Sequence, residues 1–126
     1  MIHPHTHTDG RRDSDLKSLQ VRSQLLLLLA KTREKAENIN GALSALKEAK
    51  ENQYRYIQRM GSSNLEDEKQ LLANICLTMA DHSSSLREYD QAIMYYKEAL
   101  NYKPANVNAL LSLAKLYMQV IIIAVI

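Results

Sequence analysis

Apolar positions along this chain recur at helical rather than strand spacing. From Leu16 to about Ala36, one face carries Leu19, Arg22, Leu26, Leu29 and Ala30, and the run Leu25 to Leu29 is apolar almost all round. A helix that is apolar on most sides has to be largely covered. Asn38, Asn40 and Gly41 place turn chemistry within Arg33 to Gly41, and Ala42, Leu43, Leu46, Ala49, Gln53, Tyr54 and Ile57 then continue a second helical face. Gly61 to Asn64 is the clearest break. Ser63 followed by Glu66 has capping-box spacing for a third helix, whose buried face reads Leu71, Leu72, Ile75, Cys76, Met79 and Ala80. Ser85 and Glu88 repeat that spacing ahead of a fourth helix, Leu86 to Tyr102, with Tyr89, Ala92, Ile93, Tyr96, Ala99 and Leu100 on one side. It stops before Pro104, because proline disfavours helix in the residue preceding it. Asn106 is positioned to cap a fifth helix whose inward face is Leu110, Leu113, Ala114 and Tyr117. The expected fold class is all-α.

Small residues in these faces repeat. Ala30 to Ala42 and Ala80 to Ala92 are both 12 residues, each followed by a large residue four later (Leu46, Tyr96) and an alanine three beyond that (Ala49, Ala99). From Ala80 to Ala114 is 34 residues. A 34-residue period of paired helices is the signature of tetratricopeptide (TPR) repeats, in which each hairpin buries its apolar face by stacking on its neighbours. The expected architecture is an α-solenoid of antiparallel hairpins, about two and a half units. Residues 1–15 read as a disordered tail, 16–60 as a degenerate hairpin, and 61–72 as an insertion loop with the start of the next helix. Residues 73–106 form a TPR unit, and 107–126 the first helix of a truncated unit with an apolar end. The signature positions are Leu26, Leu29, Ala30, Ala42, Leu46, Ala49, Met79, Ala80, Tyr89, Ala92, Tyr96, Ala99, Pro104, Leu110, Leu113, Ala114 and Tyr117. Ala30 to Ala80 is 50 residues, which exceeds the period by 16 and suggests an extended second helix with a protruding loop around Tyr54 to Gln70.

That insertion, together with VRSQLLLLLAK, ALKEAKENQYR and DQAIMYYKEALNYKPANVNALLSLAKLYM, resembles the tetratricopeptide repeat protein 21 family over roughly Asp15 to Val120. Members are the long solenoid subunit of intraflagellar-transport complex A. The resemblance implies a non-catalytic scaffold in retrograde ciliary transport, protein subunits of that complex as partners, and a cytoplasmic location at the cilium or basal body. It also implies an internal stretch of a longer array; a stand-alone co-chaperone-type adaptor and a truncated product without its own function are the alternatives.

Composition narrows the chemistry. Sixteen Lys and Arg against 14 Asp and Glu give a net charge of +2, far from the basic footprint of a nucleic-acid binder. A lone Cys rules out an intramolecular disulfide framework. Residues 1–10 lack the apolar core of a signal peptide. His3, His5 and His7 alternate, and Met1-Ile2-His3 offers a nitrogen set suited to Cu(II) or Ni(II), but an unstructured tail without groups to orient the ligands is the simpler reading. Cys76 shares a face with Met79 and Ala80, as a buried small hydrophobe would, and His82 lies on another face. No nucleophile–base set, zinc spacing or phosphate loop can be assembled, so neither enzyme activity nor a cofactor is expected.

Tyr95, Tyr96, Tyr102 and Tyr117 could form an aromatic recognition surface, although Tyr96 and Tyr117 match positions that the repeat buries. Positions matching the carboxylate clamp of chaperone-binding TPR proteins read Leu27, Lys31, Thr78, Asn108 and Ser112, of which only Lys31 and Asn108 suit. Val120 to Ile126 is uncharged, but with Leu116 to Met118 the run falls short of the about 20 residues needed to span a bilayer. Lys115 would sit inside any longer span, so no membrane insertion is expected.

Overall fold

The computed structural model describes the backbone from Pro4 to Ile126 apart from residues 62–64, with side chains described from Ser14 onward outside the same gap. Five helices follow in order: α1 (Pro4–Lys35), α2 (Ile39–Met60), α3 (Glu66–Ser85), α4 (Tyr89–Tyr102) and α5 (Val107–Val125). No strand occurs among the described residues. Each helix packs on the next in sequence, α1 on α2, α2 on α3, α3 on α4 and α4 on α5.

Side-chain bonds fix the direction of the first pair. Arg33 Nη1 donates to the Gly41 carbonyl at 2.9 Å beside the turn, and Ser23 Oγ donates to Gln53 Oε1 at 3.1 Å far from it. The two helices therefore run antiparallel. Residues 50 apart in sequence make the two hairpin turns in the same way. Glu37 N–H donates to Glu34 and Asn38 N–H to Arg33, at 2.9 and 2.8 Å; Arg87 N–H donates to Ser84 and Glu88 N–H to Ser83, at 3.0 and 2.9 Å. These are paired helix-end bonds of the Schellman type, which require a left-handed residue at the bend. Glu37 (φ 60°) and Arg87 (φ 62°) supply it without being glycine. The next residue at once begins the second helix, as Ala42 N–H donates to the Asn38 carbonyl and Ala92 N–H to that of Glu88.

The main core is made of Leu26 and Ala30 from α1, Leu43, Ala45, Leu46 and Ala49 from α2, Ile75, Met79 and Ala80 from α3, Ala92, Tyr95 and Tyr96 from α4, and Leu116 from α5. A second cluster joins Cys76, Ala99 and Ala109. Alanines at the crossings let helix backbones approach closely, which is why the sequence repeat is written in small residues.

Several boundaries differ from the sequence expectation. α1 begins at Pro4 rather than near Leu16, so its backbone takes in residues 4–15 of the segment read as a disordered tail. Proline is tolerated in the first helical turn, and extending a formed helix costs little because each added residue contributes one hydrogen bond. Asn40 and Gly41 lie inside α2; the turn is confined to residues 36–38, with Asn38 Oδ1 capping Gly41 N–H at 2.9 Å. A Cβ at position 41 would come within 2.3 Å of the capping amide, so any larger residue there would displace the Asn38 side chain from its cap. The expected Ser63 cap lies outside the described residues. Ser85 does not open the fourth helix: it is the last residue of α3, its hydroxyl donates to the Asp81 carbonyl, and Glu88 precedes α4. Asn106 does cap α5, its side chain accepting from Ala109 N–H at 3.1 Å. The extra residues between the hairpins lengthen α2, which reaches Met60, against a 14-residue α4.

Candidate protein-binding surface

The signature residues divide into a covered and an uncovered set. Leu26, Ala30, Ala42, Leu46, Ala49, Met79, Ala80, Ala92, Tyr96 and Ala99 are buried, and Tyr89 and Leu113 pack partly against the core. Leu29, Pro104, Leu110, Ala114 and Tyr117 are exposed. The expected inward face of α5 is thus corrected: Ala109 and Leu116 are its buried residues, because they meet α4, whereas no described helix lies over Leu110, Ala114 and Tyr117. On α1, Arg22 is also exposed, and the buried line runs Leu19, Ser23, Leu26, Ala30.

Polar groups bind the hairpins internally and to each other; of these, the sequence pattern puts Gln53 on the covered face of the second helix and marks none of Asn52, Ser23, Lys50 and Glu98. Asn52 Nδ2 donates to the Leu19 carbonyl at 2.6 Å and to Ser23 Oγ at 2.7 Å, and Gln53 Nε2 reaches the Glu68 carbonyl at 3.3 Å. Buried amides of this kind need partners on facing helices, a condition invisible in a one-dimensional pattern. Lys50 Nζ donates to both carboxylate oxygens of Glu98, at 2.8 and 2.9 Å, and lies 5.3 Å from the centre of the Tyr95 ring. Burial works against the Lys50 charge, but Glu98 outweighs it and the ammonium is held above its usual range. Arg33 ties the α1 end to the first turn of α2. His82 Nε2 meets Glu34 Oε1 at 3.0 Å, connecting α3 to α1.

The tyrosines split as well. Tyr96 is buried and its hydroxyl donates to Asp81 Oδ1; burial first, and then this bond, hold the phenol well above its usual range. Tyr95 is buried too, Tyr102 is half-buried, and Tyr117 is exposed. They do not converge on a recognition surface. Cys76 is fully buried, and burial pushes its thiol up to about 12, which favours the inert protonated form. His3 and the side chains of His5 and His7 lie outside the described residues, and no cluster of metal-ligating side chains occurs among the described ones.

Two depressions flank α3, one against α1 and the other against the turn between α4 and α5. One, of about 560 Å³, is lined by Leu27, Leu28 and Lys31 of α1 and by Leu71, Asn74 and Thr78 of α3, with Glu34 at its edge. The structure therefore brings Leu27, Lys31 and Thr78 together. Asn108 lines the other, beside Gln70, Asn74 and Lys103, and Ser112 lines neither. One lysine beside a glutamate does not make a carboxylate clamp. The groove is instead an apolar floor with mixed polar rims, of the kind that takes a protein segment. α5 is long and apolar enough to cross a membrane by length and composition, which corrects the estimate that this run is too short. Its charged residue, Lys115, sits at mid-helix.

Comparison with known proteins agrees with this architecture. Residues 85–120 match the TPR repeat family, and residues 4–100 match the family described as the tetratricopeptide repeat protein 21 fourth ARM domain. Tetratricopeptide repeat protein 21B of Mus musculus is 35% identical over 108 residues, covering 83% of this chain and 8% of that protein. The 21B protein of Homo sapiens is 34% identical over 108 residues, with 83% and 8% covered, and the human 21A protein 34% over 107 residues, with 82% and 8%. The chain thus spans about a twelfth of the length of these relatives. With turns repeating at matched positions and alanines at each helix crossing, and with the family match running across both hairpins, the chain belongs to the tetratricopeptide repeat protein 21 family and is a TPR-type helical scaffold.

Proposed function

We propose that this scaffold is non-catalytic and serves intraflagellar-transport complex A, in retrograde transport and protein trafficking at the cilium or basal body. The observation that carries the reading is the family match across residues 4–100. The groove between α1 and α3 and the exposed apolar faces at the two ends of the helix stack suit contacts with other subunits. On this reading the chain supplies shape: alanine crossings set the helix spacing, and partners dock on neighbouring surfaces.

The test is co-purification from ciliated cells of a tagged copy of this chain, with proximity labelling for its position. Recovery of complex A subunits, with label enriched at the ciliary base, is the expected result. A chain that is folded by circular dichroism yet recovers none of these subunits overturns the proposal.

A further inference from the structure

Ser14 is exposed on α1, and the packed part of that helix starts beyond it in chain order. Asp15, Lys17 and Ser18 are exposed as well, Leu16 is half-buried, and Leu19 is the first buried residue among those described. The outermost described bond between α1 and α2 lies at the same level, from Asn52 Nδ2 to the Leu19 carbonyl. A helical turn without such cover is held by about one backbone hydrogen bond per residue, so it opens at little cost. An opened turn presents its serine in the extended form that a protein kinase reads.

The sequence around this hydroxyl is Arg11-Arg12-Asp13-Ser14-Asp15-Leu16-Lys17. Ser14 is the one Ser or Thr of the chain with arginine both three and two residues before it. Kinases of the arginine-directed class select their serine through carboxylates that pair with guanidinium groups at these offsets, a geometry that favours Arg. The acid-directed class requires a carboxylate three residues after the serine, where this chain has Lys17. Ser62 follows Arg59 by three residues but has Met60 two before it, so it is the competing hydroxyl.

What a phosphate on Ser14 would meet is set by the helix. Ser14, Ser18 and Arg22 follow at intervals of four, and with Lys17, Val21 and Leu25 they line a shallow depression of about 540 Å³. The rim holds two cations, Lys17 and Arg22, and no carboxylate is among the lining residues. A phosphoserine carries a charge of about −1.5 to −2 at neutral pH, enough to offset both. Lys17, three residues on, is its neighbour on the helix surface.

We propose that Ser14 is the phosphate acceptor of an arginine-directed serine/threonine kinase, and that the phosphate neutralises the cationic rim formed by Lys17 and Arg22. In the transfer, Ser14 Oγ forms a bond to the γ-phosphorus of ATP, and the bond from that phosphorus to the β–γ bridging oxygen breaks. ADP leaves, and the hydroxyl proton passes to the catalytic aspartate of the kinase. The proposal does not depend on the ciliary role.

The test uses the purified full chain, the catalytic subunit of cyclic-AMP-dependent protein kinase and magnesium ATP, with the site located by fragment mass spectrometry. A phosphate on Ser14, absent from a Ser14→Ala chain, is the expected result. An Arg11→Ala chain should lose about tenfold in kcat/KM, through loss of a charge-assisted pair with the kinase. Phosphorus NMR then titrates the product. The second pKa of the phosphate should lie about 0.2 to 0.4 lower in the parent chain than in Lys17→Met, because the ammonium favours the dianion. Absence of phosphate, preference for Ser62 or another hydroxyl, or a rate indifferent to Arg11→Ala overturns the assignment of Ser14. An equal phosphate pKa in Lys17→Met overturns the neutralising role. Modification by the purified kinase, with none on the chain recovered from cultured cells in which cyclic AMP has been raised, overturns the proposal for the cell.

Discussion

Lys50 of the first hairpin grips both carboxylate oxygens of Glu98 in the second, at 2.8 and 2.9 Å, with each side chain about one quarter exposed. This is a bond between repeat units, reaching from α2 to α4 through the two side chains. Removing one partner leaves the other charge partly desolvated. Lys50→Met or Glu98→Gln should each destabilise by about 1–2 kcal/mol, below the upper range for hydrogen bonds to charged groups because water still reaches the pair. A double-mutant cycle by urea denaturation should return a coupling energy; additive effects would mean that the pair does not hold the units together.

The alanine crossings make a paired prediction. Ala92 is fully buried against the core, so Ala92→Leu should overpack the hairpin and cost about 1–3 kcal/mol. Ala114, at the equivalent level of exposed α5, should tolerate leucine within about 0.5 kcal/mol. Equal melting shifts for the two variants would show the hairpin register to be wrong.

Bends at Glu37 and Arg87 hold non-glycine residues in the left-handed region, at a cost of about 1–2 kcal/mol each. Glycine adopts this conformation freely but gives the unfolded chain more entropy. Arg87→Gly should therefore raise stability modestly, by up to about 1 kcal/mol, while Arg87→Val should lower it. The order Gly, Arg, Val in thermal melts checks the assignment.

Stability should fall in alkali. Burial, with Glu98 nearby, raises the Cys76 thiol from 9.0 to about 12 and the Tyr102 phenol from 10.0 to about 12. A raised pKa means that the folded chain keeps protons the unfolded chain has lost, so these contributions are complete below about pH 9 and decline as pH climbs toward 12. Chemical denaturation across this window should show the decline, with a shallower slope in Cys76→Ala. At pH 8 the thiol should react with a disulfide reagent only as fast as the chain opens.

Legibility in the sequence followed what each residue needs in order to be recognised. Ala30, Ala42, Ala80, Ala92 and Ala99 stood out because close helix crossings admit little else, and all five are buried. Asn106 and Pro104 marked their boundary because capping and the proline ring act within one turn of helix. Ser85 and Glu88 misled: the spacing was right for a capping box, but α3 had not ended and the left-handed bend at Arg87 governed the turn. Lys50, Glu98, Asn52 and Ser23 carried no signal, since their partners are 29 to 48 residues away.

What the sequence determined by itself was local and periodic: five amphipathic helices, two hairpins, and the repeat that relates them. Those follow from side-chain size and backbone preference, which are properties of neighbours along the chain. Which face of α5 is covered, where Tyr117 stands, and which buried amides and charges find each other were decided only in three dimensions. The same residue pattern buries Ala80 and exposes Ala114, because burial depends on a second helix being present and not on the helix that carries the residue.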